Sequence, residues 1–459
     1  MPTDETEERQ MPDSVELMQM LEARERRVSR QRELLERYRL PLVSFTMNIA
    51  GPVKNSPLIR RGFLTGDALL RGQLARMKAK CVHTERIDEA TGCEAFYVVD
   101  TDARTLKRLT EEVEDGTDLG RLFDMDVLLE DGTKLDRAVP RRCLLCGEDA
   151  KVCSSRRIHT VAELQRKTRD ILRAALNRRD AETAASLACR ALLYEVCVTP
   201  KPGLVDRTNN GSHADMDIYA FMSSSAALWP YFAECVRIGR ETAENSAPET
   251  FAALRLPGKL AEISMLSATN GVNTHKGAIF SVGLICAALG RLEREKWTAP
   301  EQVLSETAAM TKGMTARDFD GLTEQTARTT GQKLYLRYGI TGVRGQAEAG
   351  FPAVLEYGLP VLERGLSMGK SPDEAGAAAM LALLSHATDT NVIARSDVAT
   401  QKAAAARIAG ILAETPYPDA ETLKRLDREF MEQNLSPGGS ADLLALCWLL
   451  HFLREENAF

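Results

Sequence analysis

Five short segments in the second half of the chain combine prolines, glycines and small residues with charged side chains. They are EVCVTPKPGLVDRTNNGSHADMD (195–217), GVNTHKGAIF (271–280), YGITGVRGQAEAGFP (338–352), HATDTNVIAR (386–395) and LSPGGSADLLAL (435–446). Small residues let backbone N–H groups approach an anion closely, while Lys, Arg, Asp and Asn add charge and ligands. One such segment could be a solvated loop between helices, but the recurrence predicts a shared site for phosphate and a metal ion.

Acidic and basic side chains would have separate roles at this site. Carboxylates suit Mg²⁺, which prefers oxygen ligands, or could stabilise positive charge on a sugar. The candidates are Asp206, Asp215, Asp217 and Asp389, of which the last three are the expected magnesium ligands. Cations would neutralise phosphate oxygens, the arginines by bidentate contact. The expected substrate contacts are Lys201, Arg207, Asn273, Lys276, Arg344 and Asn391.

The last segment predicts a phosphate seat at a helix start. Gly438 and Gly439 precede the apolar run from Leu443 to Leu450, and Ser440 is the expected N-cap. Free N–H groups at a helix N-terminus bind anions, so these three residues are expected to contact phosphate.

The motifs TPKPGLVDR, GVNTHKG, RGQAEAGFP, DTN and SPGGSADLL occur in this order from about residue 181 to the end. Together they resemble the triphosphoribosyl-dephospho-coenzyme A synthases. The resemblance implies an all-helical enzyme that joins C1 of the ATP ribose to the 2'-hydroxyl of 3'-dephospho-coenzyme A and releases adenine. An acid would be expected at Gln346 and a glycine at Ser396, so these two contacts depart from the family pattern.

His213 and His275 are the candidates for proton transfer in this reaction. An imidazole titrates near neutral pH, so either one could protonate the departing adenine or accept the proton of the attacking hydroxyl. The alternative is that each histidine only forms hydrogen bonds that orient its own loop.

In the first half, GRLFDMDVL (120–128) is the segment with the strongest chemical signal. Asp124 and Asp126 alternate with apolar residues, so on a strand both carboxylates face one side and can share a divalent ion. They could equally be two acids on the solvent side of an edge strand. A basic cluster suited to diphosphate lies upstream and comprises Lys54, Arg60 and Arg61.

PLVSFT, GPVKNS, GRLFDMDVL and RRCLLC, within about residues 13–175, resemble the phosphoribosyl-dephospho-coenzyme A transferases that mature citrate lyase. The resemblance implies that the prosthetic-group precursor is moved onto a serine of the citrate lyase acyl-carrier (gamma) subunit, with release of diphosphate. Such nucleotidyl-type transfer would use Mg²⁺ on Asp124 and Asp126, and Arg121 could meet the leaving diphosphate.

The segment RRCLLCGEDAKVCSSRRIH contains a separate cysteine and histidine pattern. Cys143, Cys146, Cys153 and His159 have the spacing C-x2-C-x6-C-x5-H. Three thiols and an imidazole could close a structural, tetrahedral Zn²⁺ site. The alternative is reduced thiols packed as small apolar side chains.

Alternation and capping signals predict the elements that position these residues. We expect a helix from about Asp13 to Arg39, strands at LVSFTMNI, EAFYVVD and LFDMDVLLE, and helices from Ser56 to Lys80 and over 102–114.

These elements predict a multidomain chain. Residues 1–178 form an α+β domain of nucleotidyltransferase type and residues 179–459 form an all-α domain, with the join between Ala174 and Thr183.

Composition limits the partners. The net charge of −6 and the pI near 5.8 argue against general nucleic-acid binding. The apolar runs fall short of a membrane span, and the first twenty residues lack the pattern of a secretory signal. Ten scattered cysteines suit a reducing cytoplasm, which is the expected location. The two resemblances imply small-molecule nucleotides and the citrate lyase carrier subunit as partners.

Three other functions fit parts of the pattern. A helical magnesium enzyme that hydrolyses ADP-ribose or another nucleotide also uses aspartate-rich loops. A corresponding pair of activities could act on the malonate decarboxylase carrier. A carrier-protein chaperone with decayed sites is disfavoured because the charged loop residues are present.

Overall fold

The computed structural model of the protein describes residues 14–456. Its backbone forms two compact units, Met1–Asn177 and Arg178–Phe459, called unit 1 and unit 2 below. Among the described residues, no helix is both long and apolar enough to cross a membrane.

Unit 1 combines a four-stranded sheet with helices, so its mixed character is confirmed. The strands are β1 (Leu42–Met47), β2 (Lys80–Glu89), β3 (Gly92–Asp100) and β4 (Phe123–Leu128). The helices are α1 (Leu17–Tyr38), α2 (Pro57–Arg76), α3 (Ala103–Asp115), α4 (Ala150–Ser155) and α5 (Val161–Cys197). The expected start of α1 at Asp13 lies outside the described residues.

The sheet is antiparallel throughout, in the order β2-β3-β1-β4. Ser56 caps α2 by accepting a hydrogen bond from the Ile59 N–H at 3.3 Å, as expected for a serine before proline. The helix ends at Arg76 and not at Lys80, and β2 follows at once. This edge strand was missed because its largely exposed side chains lack an apolar alternation.

The alternation of β1 and β4 divides their side chains between the two faces of the sheet. On one face, Phe45 stacks on Phe63 of α2 with ring centroids 4.6 Å apart and meets Phe123 edge-on at 5.4 Å. On the other face, Leu42 and Leu128 pack with Leu34 and Leu35 of α1, and this face is called the α1 face.

Helix α5 spans the boundary between the units. It begins at a capping box, in which the Thr160 N–H donates to Glu163 Oε2 at 2.8 Å and the Glu163 N–H donates to Thr160 Oγ1 at 3.2 Å. The helix continues past Asn177 to Cys197 without interruption.

The described residues of unit 2 contain helices and no strand, as the sequence predicts. The helices are α6 (Ile218–Glu241), α7 (Ala247–Ala268), α8 (Lys276–Arg291), α9 (Pro300–Thr311), α10 (Met314–Phe319), α11 (Thr330–Tyr338), α12 (Gly342–Glu348), α13 (Leu359–Ser367), α14 (Pro372–His386), α15 (Thr390–Arg395), α16 (Val398–Glu414), α17 (Ala420–Glu432) and α18 (Gly438–Glu456). Most residues of α8, α14 and α18 are buried, so these three form the centre of the unit.

Candidate active sites

The five loops singled out by their composition meet around one cavity of unit 2. Its volume is about 780 Å³, within the range of roughly 300–1,000 Å³ that is usual for small-molecule sites. Twelve predicted residues line it: Lys201, His213, Asp215, Asn273, His275, Lys276, Arg344, Asp389, Asn391, Gly438, Gly439 and Ser440. Asp206, Arg207 and Asp217 do not line it.

The three residues outside the cavity wall have other partners, which corrects their expected roles. The Asp206 carboxylate is buried and accepts hydrogen bonds from the N–H groups of its own loop, including Lys201 N at 3.1 Å. Arg207 forms an ion pair with Asp373. Asp217 caps α6 by accepting from the Ala220 N–H at 2.9 Å. Contacts within the protein therefore satisfy the polar groups of all three side chains without a bound ligand.

His275 is buried in the cavity wall at the start of α8. Its Nδ1 lies 2.7 Å from Ser224 Oγ, and Phe221 packs edge-on against the ring. Its Nε2 is buried and has no hydrogen-bond partner among the described residues. Burial, and then the positive charge of Lys201, lower the pKa of His275 to about 3, so the imidazole is neutral at pH 7.

His213 lies at another part of the wall in a polar setting. Its Nε2 is 2.8 Å from Ser436 Oγ, and its Nδ1 is 3.2 Å from Arg395 Nη2 and 3.9 Å from Asp215 Oδ1. Burial, and then Arg395, lower the pKa of His213, and Asp215 opposes them. Both nitrogens of His213 therefore have polar neighbours, whereas His275 Nε2 has none among the described residues.

Lys201 is buried, although it was predicted to meet phosphate directly. Its Nζ pairs with Glu195 Oε1 at 2.5 Å and donates to the Glu195 carbonyl at 2.8 Å. Both residues line the cavity. Glu195 was not predicted, because it lies within the apolar end of α5 and precedes the motif that drew attention to Lys201.

Removal of the Lys201 charge is expected to destabilise the protein, because the Glu195 carboxylate would stay buried without its partner. We predict a loss of about 3–5 kcal/mol for Lys201→Met, much of it restored in the Lys201→Met/Glu195→Gln double variant. The exposed pair Arg237–Glu234 is the matched control, and Arg237→Met should cost at most about 1 kcal/mol. Calorimetric unfolding measures the difference; equal effects of the two single substitutions would contradict the prediction.

Asp389 organises the fourth and fifth loops. Its buried carboxylate accepts four hydrogen bonds, from Asn391 N at 2.9 Å, Val392 N at 3.3 Å, Ser440 N at 2.7 Å and Ser440 Oγ at 2.9 Å. Burial raises the pKa of Asp389, and these donors oppose the shift. The carboxylate already has four donors, so it does not fit the expected role of a magnesium ligand.

The predicted phosphate seat at the start of α18 is corrected by the same contacts. The helix begins at Gly438, so Ser440 lies in the first turn and is not the N-cap. Its N–H also approaches the Pro437 carbonyl at 3.1 Å. The Ser440 N–H therefore has acceptors within the protein, and the phosphate contacts of Gly438 and Gly439 stay a prediction.

Asp442 is a cavity residue that the sequence analysis missed, because it follows the glycines and looks like the first polar turn of an apolar helix. Burial, and then the charges of Glu195 and Asp389, raise the pKa of Asp442 well above its usual range. Its Oδ2 would lie 1.9 Å from a Cβ at Gly277. The close approach of α8 to α18 therefore requires glycine at position 277.

The cationic side of the cavity is formed by Lys276, Arg328, Arg344 and Arg395. Lys276 pairs with Glu262 at 2.8 Å, and Arg344 Nε pairs with Asp318 at 3.1 Å. Arg328 and Arg395 were not predicted: Arg395 ends the segment 386–395, whereas Arg328 lies outside all five segments.

Three buried polar atoms of the cavity-lining residues have no hydrogen-bond partner within residues 14–456. They are His275 Nε2, Thr274 Oγ1 and Gln346 Oε1. Buried polar groups are nearly always hydrogen-bonded, so such atoms in a cavity wall indicate where a ligand or water binds.

In unit 1, Asp124 and Asp126 lie on β4 with both side chains on the α1 face, as predicted. In the register with β1, Asp124 is opposite Thr46 and Asp126 is opposite Ser44. Burial, and then the Asp124 carboxylate, raise the pKa of Asp126. The two carboxylates therefore interact, as ligands of one cation would.

Lys134 is the partner that sequence reasoning missed. The Asp131-Gly132 turn returns the chain along β4, where Leu135 N donates to Val127 O at 2.9 Å, and this places Lys134 Nζ 2.6 Å from Asp126 Oδ1. The Asp131-Gly132 pair was the available signal for this contact, because such a pair favours a tight turn between antiparallel segments.

The structure places only some of the predicted basic residues near these two carboxylates. Arg121 precedes β4 and its Nη2 donates to Arg142 O at 2.8 Å. Lys54 Nζ donates to Ile49 O at 2.5 Å, and Arg60 pairs at 2.7 Å with Asp88 of β2. Strands β2 and β4 are opposite edges of the sheet, about 14 Å apart in strand spacing, so Arg60 is held away from Asp124. Arg61 follows Arg60 in the first turn of α2.

Comparison with known proteins matches each half of the chain to a transferase family. Residues 181–459 match the family CitG, described as ATP:dephospho-CoA triphosphoribosyl transferase. Residues 15–175 match CitX, described as apo-citrate lyase phosphoribosyl-dephospho-CoA transferase. The class defined by the two units is therefore a bifunctional transferase, and both resemblances found in the sequence are confirmed.

Relatives with the same two-part organisation cover nearly the whole chain. Protein CitXG of Haemophilus influenzae is 36% identical over 455 residues, covering 94% of this chain and 95% of the relative. Protein CitXG of Leuconostoc mesenteroides subsp. cremoris is 33% identical over 454 residues, with the same coverage. The 2-(5''-triphosphoribosyl)-3'-dephosphocoenzyme-A synthase of Pectobacterium atrosepticum is 41% identical over 271 residues, covering 58% of this chain and 87% of the relative. The chain belongs to the CitXG family, and it combines the two transferase activities.

Proposed function

We propose that residues 179–459 make the triphosphoribosyl-dephospho-coenzyme A precursor in the unit 2 cavity, and that residues 1–178 transfer it to the citrate lyase acyl-carrier subunit. The observation that carries the first assignment is the cavity itself, which combines cations on its wall with the unpartnered atoms of His275, Thr274 and Gln346. A phosphorylated nucleotide supplies negative charge for these cations and polar atoms for the unpartnered groups.

The synthase reaction forms a bond between ribose C1 of ATP and the 2'-oxygen of dephospho-coenzyme A, while the bond from C1 to adenine breaks. Positive charge develops on the sugar, as in glycoside transfer, so a nearby carboxylate favours the transition state. Asp442 is our candidate, because it lies in the wall and has fewer donors than Asp389. Burial raises its pKa, and the positive charge that develops on the sugar would favour its carboxylate form.

His275 Nε2 is our candidate for the contact with the attacking 2'-hydroxyl. The tautomer with Nδ1–H donating to Ser224 leaves Nε2 as an acceptor. A triphosphate bound in the cavity would raise the low pKa of this imidazole, since negative charge favours the protonated form. The same ligand would therefore improve His275 as a proton acceptor at the moment when it is needed.

Lys276, Arg328, Arg344 and Arg395 are proposed to hold the triphosphate through charge-assisted hydrogen bonds. Mg²⁺ on the triphosphate would neutralise further charge. Asp215 and Asp442 fit it better than Asp389, whose oxygens accept four hydrogen bonds, or Asp217, which caps α6.

Unit 1 is proposed to act as a nucleotidyltransferase-type enzyme. A serine hydroxyl of the carrier would attack the phosphorus nearest the ribose, and diphosphate would leave. Asp124 and Asp126 share one face of β4 and fit Mg²⁺, which would stabilise charge on the phosphoryl oxygens. Arg121, three residues before Asp124, is placed to meet the diphosphate.

The cytoplasm is the proposed location, because ATP and dephospho-coenzyme A are its metabolites. All ten cysteines are free thiols in the structure, which suits a reducing compartment.

Mass spectrometry of the purified protein with ATP, Mg²⁺ and dephospho-coenzyme A, with and without unmodified citrate lyase acyl-carrier subunit, tests both assignments. We expect free adenine in both samples and a carrier heavier by one phosphoribosyl-dephospho-coenzyme A group in the second. Adenine with an unmodified citrate lyase carrier but a modified malonate decarboxylase carrier would reassign the partner. No adenine under any condition would refute the synthase assignment.

A further inference from the structure

The four residues of the cysteine and histidine pattern meet in the segment that follows β4. One ligand atom from each of Cys143, Cys146, Cys153 and His159 lies within 4.8 Å of every other. Among the described residues, no other group of three or more Cys, His, Asp or Glu side chains is arranged so closely. The unusual spacing in the sequence therefore does not keep the side chains apart.

The separations suit a tetrahedral ion and not a disulfide. Zinc–sulfur bonds of about 2.3 Å place two thiolates of a tetrahedral site about 3.8 Å apart. The sulfur atoms of Cys143 and Cys153 are 3.4 Å apart, whereas a disulfide would hold them at about 2.05 Å. All the cysteines are free.

The backbone around Cys143 is arranged as it is around a metal-bound thiolate. The N–H of Leu145 points to Cys143 Sγ at 3.5 Å, and the Cys146 N–H also donates to this sulfur. Gly147, with φ +75°, turns the chain so that its own N–H reaches the Cys143 carbonyl at 3.3 Å. N–H donors around a sulfur stabilise its negative charge, so the turn favours a thiolate.

His159 gives a second, independent indication. Its Nε2 is buried and has no hydrogen-bond partner within residues 14–456. A thiol cluster packed only as small apolar side chains would not need an imidazole nitrogen, and the unpaired nitrogen would be unfavourable there. A bound metal ion would give this nitrogen a partner.

We propose that Cys143, Cys146, Cys153 and His159 bind one structural Zn²⁺ ion. Three thiolates and one imidazole complete a tetrahedral shell, so no position is left for a substrate or a reactive water. The ion would join α4 and the start of α5 to the turn after Arg142.

Hydrogen bonds connect this turn to the start of β4. The ion would therefore affect the unit 1 site. Arg141 donates to the Phe123 carbonyl at 2.5 Å and pairs with Glu114, while the Arg142 carbonyl accepts from Arg121. Glu114 in turn accepts from the Met125 N–H at 2.7 Å. The zinc-bound turn therefore positions Arg121 and the strand that carries Asp124 without touching substrate.

Metal analysis of the full-length protein, purified without chelator, tests the proposal. We expect about one zinc per chain, and X-ray absorption at the zinc edge that shows three sulfur ligands and one nitrogen ligand. Cys146→Ser and His159→Gln should each lower the zinc content severalfold. Cys81→Ser is the matched control, since Cys81 lies on β2 outside the cluster and should keep its zinc content.

A protein without zinc after expression in zinc-supplemented medium would overturn the proposal. So would zinc retained at full content in both ligand variants, or a disulfide between Cys143 and Cys153 in the freshly purified chain. If the variants fail to fold, the absorption spectrum of the unaltered protein decides, since a shell without sulfur would also refute the assignment.

Discussion

Exchange of Asp124 for asparagine is expected to reduce loading of the acyl-carrier subunit by at least about a hundredfold, because an amide is a poor ligand for the cation that stabilises a transferring phosphoryl group. The release of adenine from ATP should change by less than about twofold, since a surface substitution in unit 1 leaves the unit 2 cavity intact. Carrier mass and free adenine, measured in the same reaction, give the two rates.

The matched control is Asp131→Asn. Asp131 lies in the turn after β4, and its carboxylate accepts from the Thr133 N–H at 2.8 Å, a hydrogen bond that asparagine can keep. Both activities should survive this substitution. Equal loss of loading in Asp124→Asn and Asp131→Asn would show that the negative charge near β4, and not the ligand at position 124, is required.

Replacement of His275 by glutamine should give the opposite result. Adenine release is expected to fall about 10²–10³-fold, the usual contribution of a group that transfers a proton, while loading of supplied precursor continues. Glutamine can keep a hydrogen bond to Ser224, so the fold should survive. Without ligand the pKa of His275 is about 3, so protonation of this group should cause no loss of kcat/KM, which reports the free enzyme, as the pH falls from about 8 to 6.

His386→Gln is the control in the same unit. His386 is exposed and stacks on Tyr357 at 3.7 Å, and it does not line the cavity. Adenine release should change by less than about twofold in this variant. If His275→Gln also retained full adenine release, the imidazole would have only the loop-orienting role, and His213 would become the better candidate.

Local sequence signals predicted much of the fold. The strand that contains Phe45 and the helix that starts at Ser56 carry strong local signals, namely a β-branched and aromatic run and a cap before proline. Strand β2 has no comparable signal, because it forms the sheet edge and its side chains are mostly exposed. Pairing with β3 across the short turn at 90–91 stabilises it, and no pattern within the residues of β2 themselves shows this pairing.

In the candidate sites, too, some features had a local sequence signal and others had none. Loop composition predicted which segments meet at the cavity, but it could not tell which carboxylates face inward. Asp206 and Asp217 bind nearby N–H groups of their own segments, whereas Glu195 and Asp442 lie in helices whose apolar neighbours concealed them. The orientation of a side chain depends on contacts between distant segments, and these are absent from any local pattern.

The close approach of α8 to α18 at Gly277 affects how function can be inferred from related gene sequences. A methyl group at position 277 would lie 1.9 Å from Asp442 Oδ2, so even the smallest substitution would displace that acid from the cavity wall. A glycine codon becomes an alanine codon through one base change. With the role proposed for Asp442, we expect a gene copy with alanine at this position to encode a chain impaired in precursor synthesis, although its charged motifs remain intact and it could still load carriers with precursor made by another copy.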